Sequence, residues 1–399
     1  MTNRLITAEQ IHDGTAFLPP GTSLEIAPEG TIIAIHHDPA LQAQAVFYEG
    51  VLLPAFVNVH CHLELSHMKG RLPRHTGLIP FLQQVTLQRN DVTPAEKSAA
   101  RHAACHELHD GGVIAAGDVA NGTDTLDVRA LQLLHVHTFV ECIGFTETHA
   151  QQRFDHSHKI YEAFAAQVPG TARLQQSIVP HAPYSVSAAL FRLINGAADG
   201  SLVSIHNQES SAEDLFYRDK SGAVNDLLAG LGIDTAFFMP TGKTSLQSYL
   251  PLFSATHPFI FVHNTFTTAA DIRFARQHLP ESYWCLCPNA NLYIENTLPD
   301  VPLLMQEDAV ICIGTDSLAS NDRLSVLYEL QTLKRHYPAL SWETLYRWAT
   351  YNGACALQME DIAGSIRPGM RPGIICVSEE RNAVRWVTGG LSAPATAAG

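Results

Sequence analysis

Val51-Leu52-Leu53-Pro54-Ala55-Phe56-Val57-Asn58-Val59-His60-Cys61-His62-Leu63-Glu64 is the stretch on which the fold turns. An apolar run of strand length ends in two histidines one residue apart, and side chains two apart on a strand share a face. In a parallel barrel the C-terminal ends of the strands open on the catalytic face, so His60 and His62 are expected to point together into the mouth. From Val51 onward, apolar runs alternate with longer helical patterns, the rhythm of repeated βα units. The runs are Ala55–His60, Val113–Asp118, Thr138–Ile143, Gln176–His181, Leu202–His206, Phe259–His263, Tyr283–Cys287 and Val310–Asp316. Eight such runs within about 300 residues predict an α/β fold, a (β/α)8 TIM barrel carrying insertions.

The two ends of the chain have a different texture. Residues 1–53 hold short strand-like runs such as Thr31–His36, and residues 361–399 return to that pattern with Gly364–Gly369 and Ile374–Val377. Together they predict one small β-sandwich beside a barrel over 54–360. The closing LSAPATAAG reads as an unstructured tail. One helix is legible in detail: Thr93-Pro94-Ala95-Glu96 supplies an N-cap, a first-turn proline and a capping-box glutamate, and Gly111 can end it.

Composition narrows the function. A chain of 399 residues with 46% hydrophobic and 16% charged residues suits one large packed domain and a small companion. A net charge of −14 argues against nucleic acid or anionic membrane as partner and leaves a small molecule. No apolar run reaches about 18 residues and the opening lacks the order of a signal peptide, so a cytoplasmic protein is expected. The eight cysteines sit mostly in apolar segments and read as small buried hydrophobes, not a disulfide framework.

Among 21 histidines, HxH occurs three times. His135-Val136-His137 precedes its strand, at the stability face, and His156-Ser157-His158 lies in a polar segment; both read as packing or surface. His102, His106 and His109 share one face of the capped helix, opposite Ala100, Ala104 and Leu108, and read as solvated. Cys285 and Cys287 read as packing residues of the seventh strand. His206 ends a strand and Glu209 follows three residues later, so one can ligate while the other moves protons. His263 and Asp316 also close strands, and strand-end polar residues of complementary type point to one shared site.

The chain resembles the amidohydrolase superfamily, and within it the chlorohydrolase-like purine deaminases. The resemblance is carried by Leu53–Ser66, Pro180-His181-Ala182-Pro183-Tyr184-Ser185, His206 to Glu209, His263-Asn264, Gly314–Asn321 and Thr350–Ala354. It implies that His60, His62, His206 and Asp316 bind metal, with Glu209, His263 and Asp316 as catalytic residues. Binuclear members carry a bridging lysine at the end of the fourth strand. Here that end reads Ser177-Ile178-Val179-Pro180-His181, which implies one divalent metal and makes His181 a substrate contact. Three imidazoles and a carboxylate suit Zn²⁺, and Fe²⁺ accepts the same donors. The implied reaction is hydrolytic deamination, with Glu209 as proton shuttle and His263 bonding the tetrahedral centre.

Leu63–Gly70 and the Pro180–Ser185 segment most resemble aminodeoxyfutalosine deaminases of the alternative menaquinone route. Their substrate is an adenine ring with a benzoate-bearing tail, which implies a cation at Arg74, Arg153 or Arg218, with Glu64 as a further contact. Other readings are deamination of adenosine, methylthioadenosine, S-adenosylhomocysteine, guanine or a pterin, and dechlorination or amide hydrolysis at the same metal. A non-catalytic binding protein on this fold would be expected to have lost ligands, and none is missing. The resemblance also implies a homodimer.

Overall fold

The computed structural model describes residues 2–197 and 199–391; of the tail expected over 391–399, residues 392–399 lie outside the described residues. The chain opens with β1 (Arg4–Ile11), β2 (Ser23–Ile26), β3 (Ile32–His36) and β4 (Val46–Pro54). Eight strands follow, each separated from the next by helix: β5 (Phe56–Cys61), β6 (Val113–Ala120), β7 (His135–Cys142), β8 (Leu174–Pro180), β9 (Val203–Asn207), β10 (Phe259–His263), β11 (Ser282–Leu286) and β12 (Val310–Ile313). The chain closes with β13 (Ile374–Ser378) and β14 (Ala383–Trp386).

β5 to β8 and β9 to β12 form two four-stranded parallel sheets. Two seams join them into the TIM barrel. At one, the His206 N–H donates to the His181 carbonyl at 2.9 Å; at the other, the Thr315 and Asp316 N–H groups donate to the His60 carbonyl at 3.0 and 3.1 Å. Both seams lie at the strand ends where the candidate residues stand. Every residue of β5, β6, β7, β9 and β10 is buried, as parallel strands covered on both faces require.

Strands from both ends of the chain share one six-stranded sheet in the order β14-β13-β4-β1-β2-β3. β13 runs antiparallel to β4, with Ile374 opposite Pro54, and Ile6, Leu24, Ile26, Ile32, Leu52 and Ile374 form its core. The helix Pro94–Asp110 has the expected capping box between Thr93 and Glu96, proline in its first turn and Gly111 at its end.

Two histidine expectations need correction. β7 begins at His135, three residues before the expected Thr138, so His135 and His137 lie inside the strand and are buried. Local partners permit this: His135 Nδ1 accepts the Arg173 N–H at 2.8 Å and His137 Nε2 lies 3.0 Å from Ser177 Oγ. Burial lowers their pKa values to about 4 and about 3, leaving neutral packing residues. His109 is not simply solvated either. Its ring stacks on Trp386 of β14 at 5.2 Å, because the last strand covers that end of the helix. His106, His156 and His158 are exposed as expected, and all eight cysteines are free. Among the described residues no helix is long and apolar enough to cross a membrane.

Candidate active site

At the mouth of the barrel, His60 and His62 turn their Nε2 atoms toward each other at 3.1 Å. His62 Nε2 also lies 3.3 Å from His206 Nε2 and 3.4 Å from Asp316 Oδ1, which in turn lies 3.6 Å from His60 Nε2. Donors held about 2.1 Å from a tetrahedral zinc ion stand roughly 3.4 Å apart, so these spacings fit one ion. All four residues are buried. Burial lowers the pKa of His62 and brings that of His206 to about 3, so their rings are neutral and offer lone pairs. Burial alone would raise the Asp316 carboxyl; hydrogen bonding to His60 and the surrounding imidazoles hold it below its usual range. His206 Nδ1 lies 2.8 Å from the His181 carbonyl, an acceptor, which puts the ring proton on Nδ1 and leaves Nε2 free to ligate.

The backbone is bent to reach this arrangement. Gln208, His263, Asn264 and Asp316 have φ of 46°, 73°, 59° and 56°, the left-handed region that non-glycine residues enter at a cost of about 1 kcal/mol or more each. Hydrogen bonds hold these turns: Asn207 Nδ2 to Asn264 Oδ1 at 3.0 Å, Tyr249 Oη to Asn207 Oδ1 at 2.9 Å and the Thr315 N–H to Asn58 Oδ1 at 3.0 Å. The Ser320 hydroxyl donates to Asp316 Oδ2. Gly314 lets the last strand approach closely, since a Cβ there would stand 2.9 Å from Cys285 Sγ, Cys287 Sγ and His60 Cβ. The two thiols pack beneath the histidines, and among the described residues the candidate metal groupings contain no cysteine.

Glu209 is buried beside this cluster with Oε1 3.7 Å from His263 Nε2. Burial, then the charge of Asp316, raises its pKa well above the usual range. His62, His206, Glu209, His263 and Asp316 form the floor of a cavity of about 680 Å³. His181 lines it too, with Nδ1 2.7 Å from Ser185 Oγ.

Glu64 belongs to the cavity wall and is buried, accepting from Arg89 Nη2 at 3.0 Å and from the Asn121 N–H at 2.9 Å. Glu141 and Arg89 were missed in the sequence. Glu141 Oε1 lies 3.4 Å from His206 Nδ1, Oε2 accepts from Asn121 Nδ2 at 2.7 Å, and its donors group with those of His181 and His206. The signal was present: Glu141 stands near the end of a barrel strand, as His206 and His263 do. The three candidate arginines do not converge. Arg74 pairs with Asp322 and lies 4.7 Å over the Tyr293 ring, in a separate cavity of about 110 Å³. Arg218 is exposed, 4.0 Å from Asp214. Arg153 alone of the three lines the large cavity.

Residues 51–391 match the profile of the amidohydrolase family, and the chain belongs to that family of carbon–nitrogen bond hydrolases. It is 26% identical over 330 residues to an adenosine deaminase of Helicobacter pylori, covering 81% of this chain and 78% of that one. It is 28% identical over 290 residues to an aminodeoxyfutalosine deaminase of Nitratiruptor, covering 70% and 67%. The crystal structure of Helicobacter pylori aminofutalosine deaminase with methylthio-coformycin superposes with a TM-score of 0.77 at 20% identity, covering 97% of this chain and 99% of that one.

Proposed function

We propose that the protein is a hydrolytic deaminase of an aminopurine compound, with His60, His62, His206 and Asp316 holding one Zn²⁺. The observation that carries this reading is the buried cluster of three imidazole nitrogens and one carboxylate, beside Glu209 and His263 on the floor of one cavity. When bound, the ion brings the pKa of water from about 16 toward roughly 7. Glu209 takes a proton from the attacking water and passes protons to the ring nitrogen and to departing ammonia. Asp316 orients the water through its carboxylate, and His263 hydrogen-bonds the oxygen of the tetrahedral centre. His181 and Glu64 contact the substrate from the cavity wall.

For the substrate we propose 6-amino-6-deoxyfutalosine, supported by the segments around Leu63 and Pro180 and by the name of the Nitratiruptor relative. The name of the 26% identical Helicobacter relative favours adenosine as the second reading. The family resemblance further supports a homodimer, which sedimentation would test.

Ammonia release should be measured for 6-amino-6-deoxyfutalosine, adenosine, methylthioadenosine, S-adenosylhomocysteine, guanine and pterins, alongside metal analysis of the purified protein. The expected result is about one zinc per chain, activity lost on chelation, and a preference for the first compound. Silence on every compound with metal bound refutes the deaminase reading, and equal turnover of adenosine refutes the substrate.

A further inference from the structure

At about 680 Å³ the cavity is sized for a whole extended molecule and exceeds what a single ring needs. Away from the histidines its wall turns apolar, with Leu78, Phe81 and Leu82 on one side and Leu227, Leu228 and Ile233 on another. Leu87, Ile143 and Leu231 line this arm yet remain 70%, 42% and 59% exposed. Apolar surface gathered in a groove and left open to water marks a place where an apolar ligand segment sits.

Two guanidinium groups line the cavity, Arg89 and Arg153. Arg89 is engaged by the Glu64 carboxylate. Arg153, near the start of the helix Ala150–Ala165, has no hydrogen bond or ion pair to any described residue. The residue is exposed, and its stem lies against Gly144, where a Cβ would stand 2.7 Å from Arg153 Cγ. Glycine at 144 therefore makes the space that lets the stem lie along the wall.

We infer that Arg153 reads a carboxylate at the far end of a substrate whose middle portion is apolar, and so separates tailed aminopurines from plain nucleosides. The inference rests on the deaminase reading of the same cavity and deepens it. A guanidinium–carboxylate hydrogen bond contributes about tenfold to a hundredfold in affinity, less where water and salt reach it.

The test compares kcat and KM for 6-amino-6-deoxyfutalosine, its carboxamide analogue and adenosine, using the zinc-loaded wild-type protein, Arg153→Met and Arg153→Lys. The wild type is expected to favour the carboxylate over the carboxamide by about tenfold in kcat/KM, with the difference in KM. Arg153→Met should bring that ratio to about one, and Arg153→Lys should restore part of it. A wild type indifferent to the carboxylate, or an Arg153→Met variant that keeps the preference, overturns the inference while leaving deamination standing. Should none of the compounds be turned over, the deaminase reading fails. Calorimetric binding of the carboxylate and carboxamide forms then decides the role of Arg153 separately.

Discussion

Replacing Glu209 with glutamine tests the chemistry most directly. The substitution keeps the shape of a buried side chain and removes its capacity to carry a proton between water and the leaving amine. General acid–base catalysis is worth about 10² to 10⁴ in rate, or about 3 to 5 kcal/mol of barrier. Glu209 lies 3.7 Å from His263 and outside the His60, His62, His206 and Asp316 cluster, so zinc content should be unaltered. Stability should not suffer either. In the metal-free protein burial raises the Glu209 pKa above its unfolded value, so this group costs stability as pH rises past about 4.5, and glutamine removes that cost. The assay is coupled ammonia release at saturating substrate, with zinc by mass spectrometry and Tm by calorimetry on the same samples. A Glu209→Gln enzyme that keeps kcat within about threefold at equal zinc content would remove Glu209 from the mechanism.

Gly314→Ala should cost about 1–3 kcal/mol of stability, since the new methyl group meets two sulfurs and His60 Cβ at 2.9 Å. Because one of those neighbours is a proposed ligand, zinc affinity measured by chelator competition should fall too; an unchanged Tm and affinity would count against the packing described here. His137 predicts a pH effect. Its folded pKa of about 3 lies below the unfolded 6.5, so the unfolded chain binds more protons and stability drops as pH falls from 6.5 toward 3, by about 1.4 kcal/mol per pH unit. The stability difference between wild type and His137→Gln, read by urea unfolding, should therefore shift by about 2 kcal/mol between pH 6.5 and pH 5, and a pH-independent difference would contradict it.

The barrel strands were legible because each is a short apolar run in a chain whose helices have a different period. Phe259–His263 was read to the residue. Errors arose where polarity misleads. His135 and His137 are expected ahead of β7, whereas Arg173 and Ser177 give them partners inside the sheet. The eighth run was read through Asp316, whereas β12 stops at Ile313, since the left-handed turn at Asp316 takes the chain out of the strand. The polar cluster was legible from strand-end positions, which a parallel barrel brings to one rim. Glu141 carries the same strand-end signal as His206 and His263, one residue before the close of β7. The arginines could not be sorted from sequence. Whether a guanidinium is neutralised depends on Asp322 for Arg74 and Glu64 for Arg89, partners 248 and 25 residues away in the chain.

The seam between the first and last barrel strands has a consequence for assembly in the cell. The Thr315 and Asp316 amides bind the carbonyl of His60 itself, so the link that closes the ring also sets one donor against another more than 250 residues away. A chain still emerging from the ribosome, with its eighth strand unmade, carries the three histidines but neither the carboxylate nor the clasp that aligns them. On the proposed ligand set, tight capture of the ion waits until synthesis has passed Asp316, which makes metal acquisition a late event that follows ring closure.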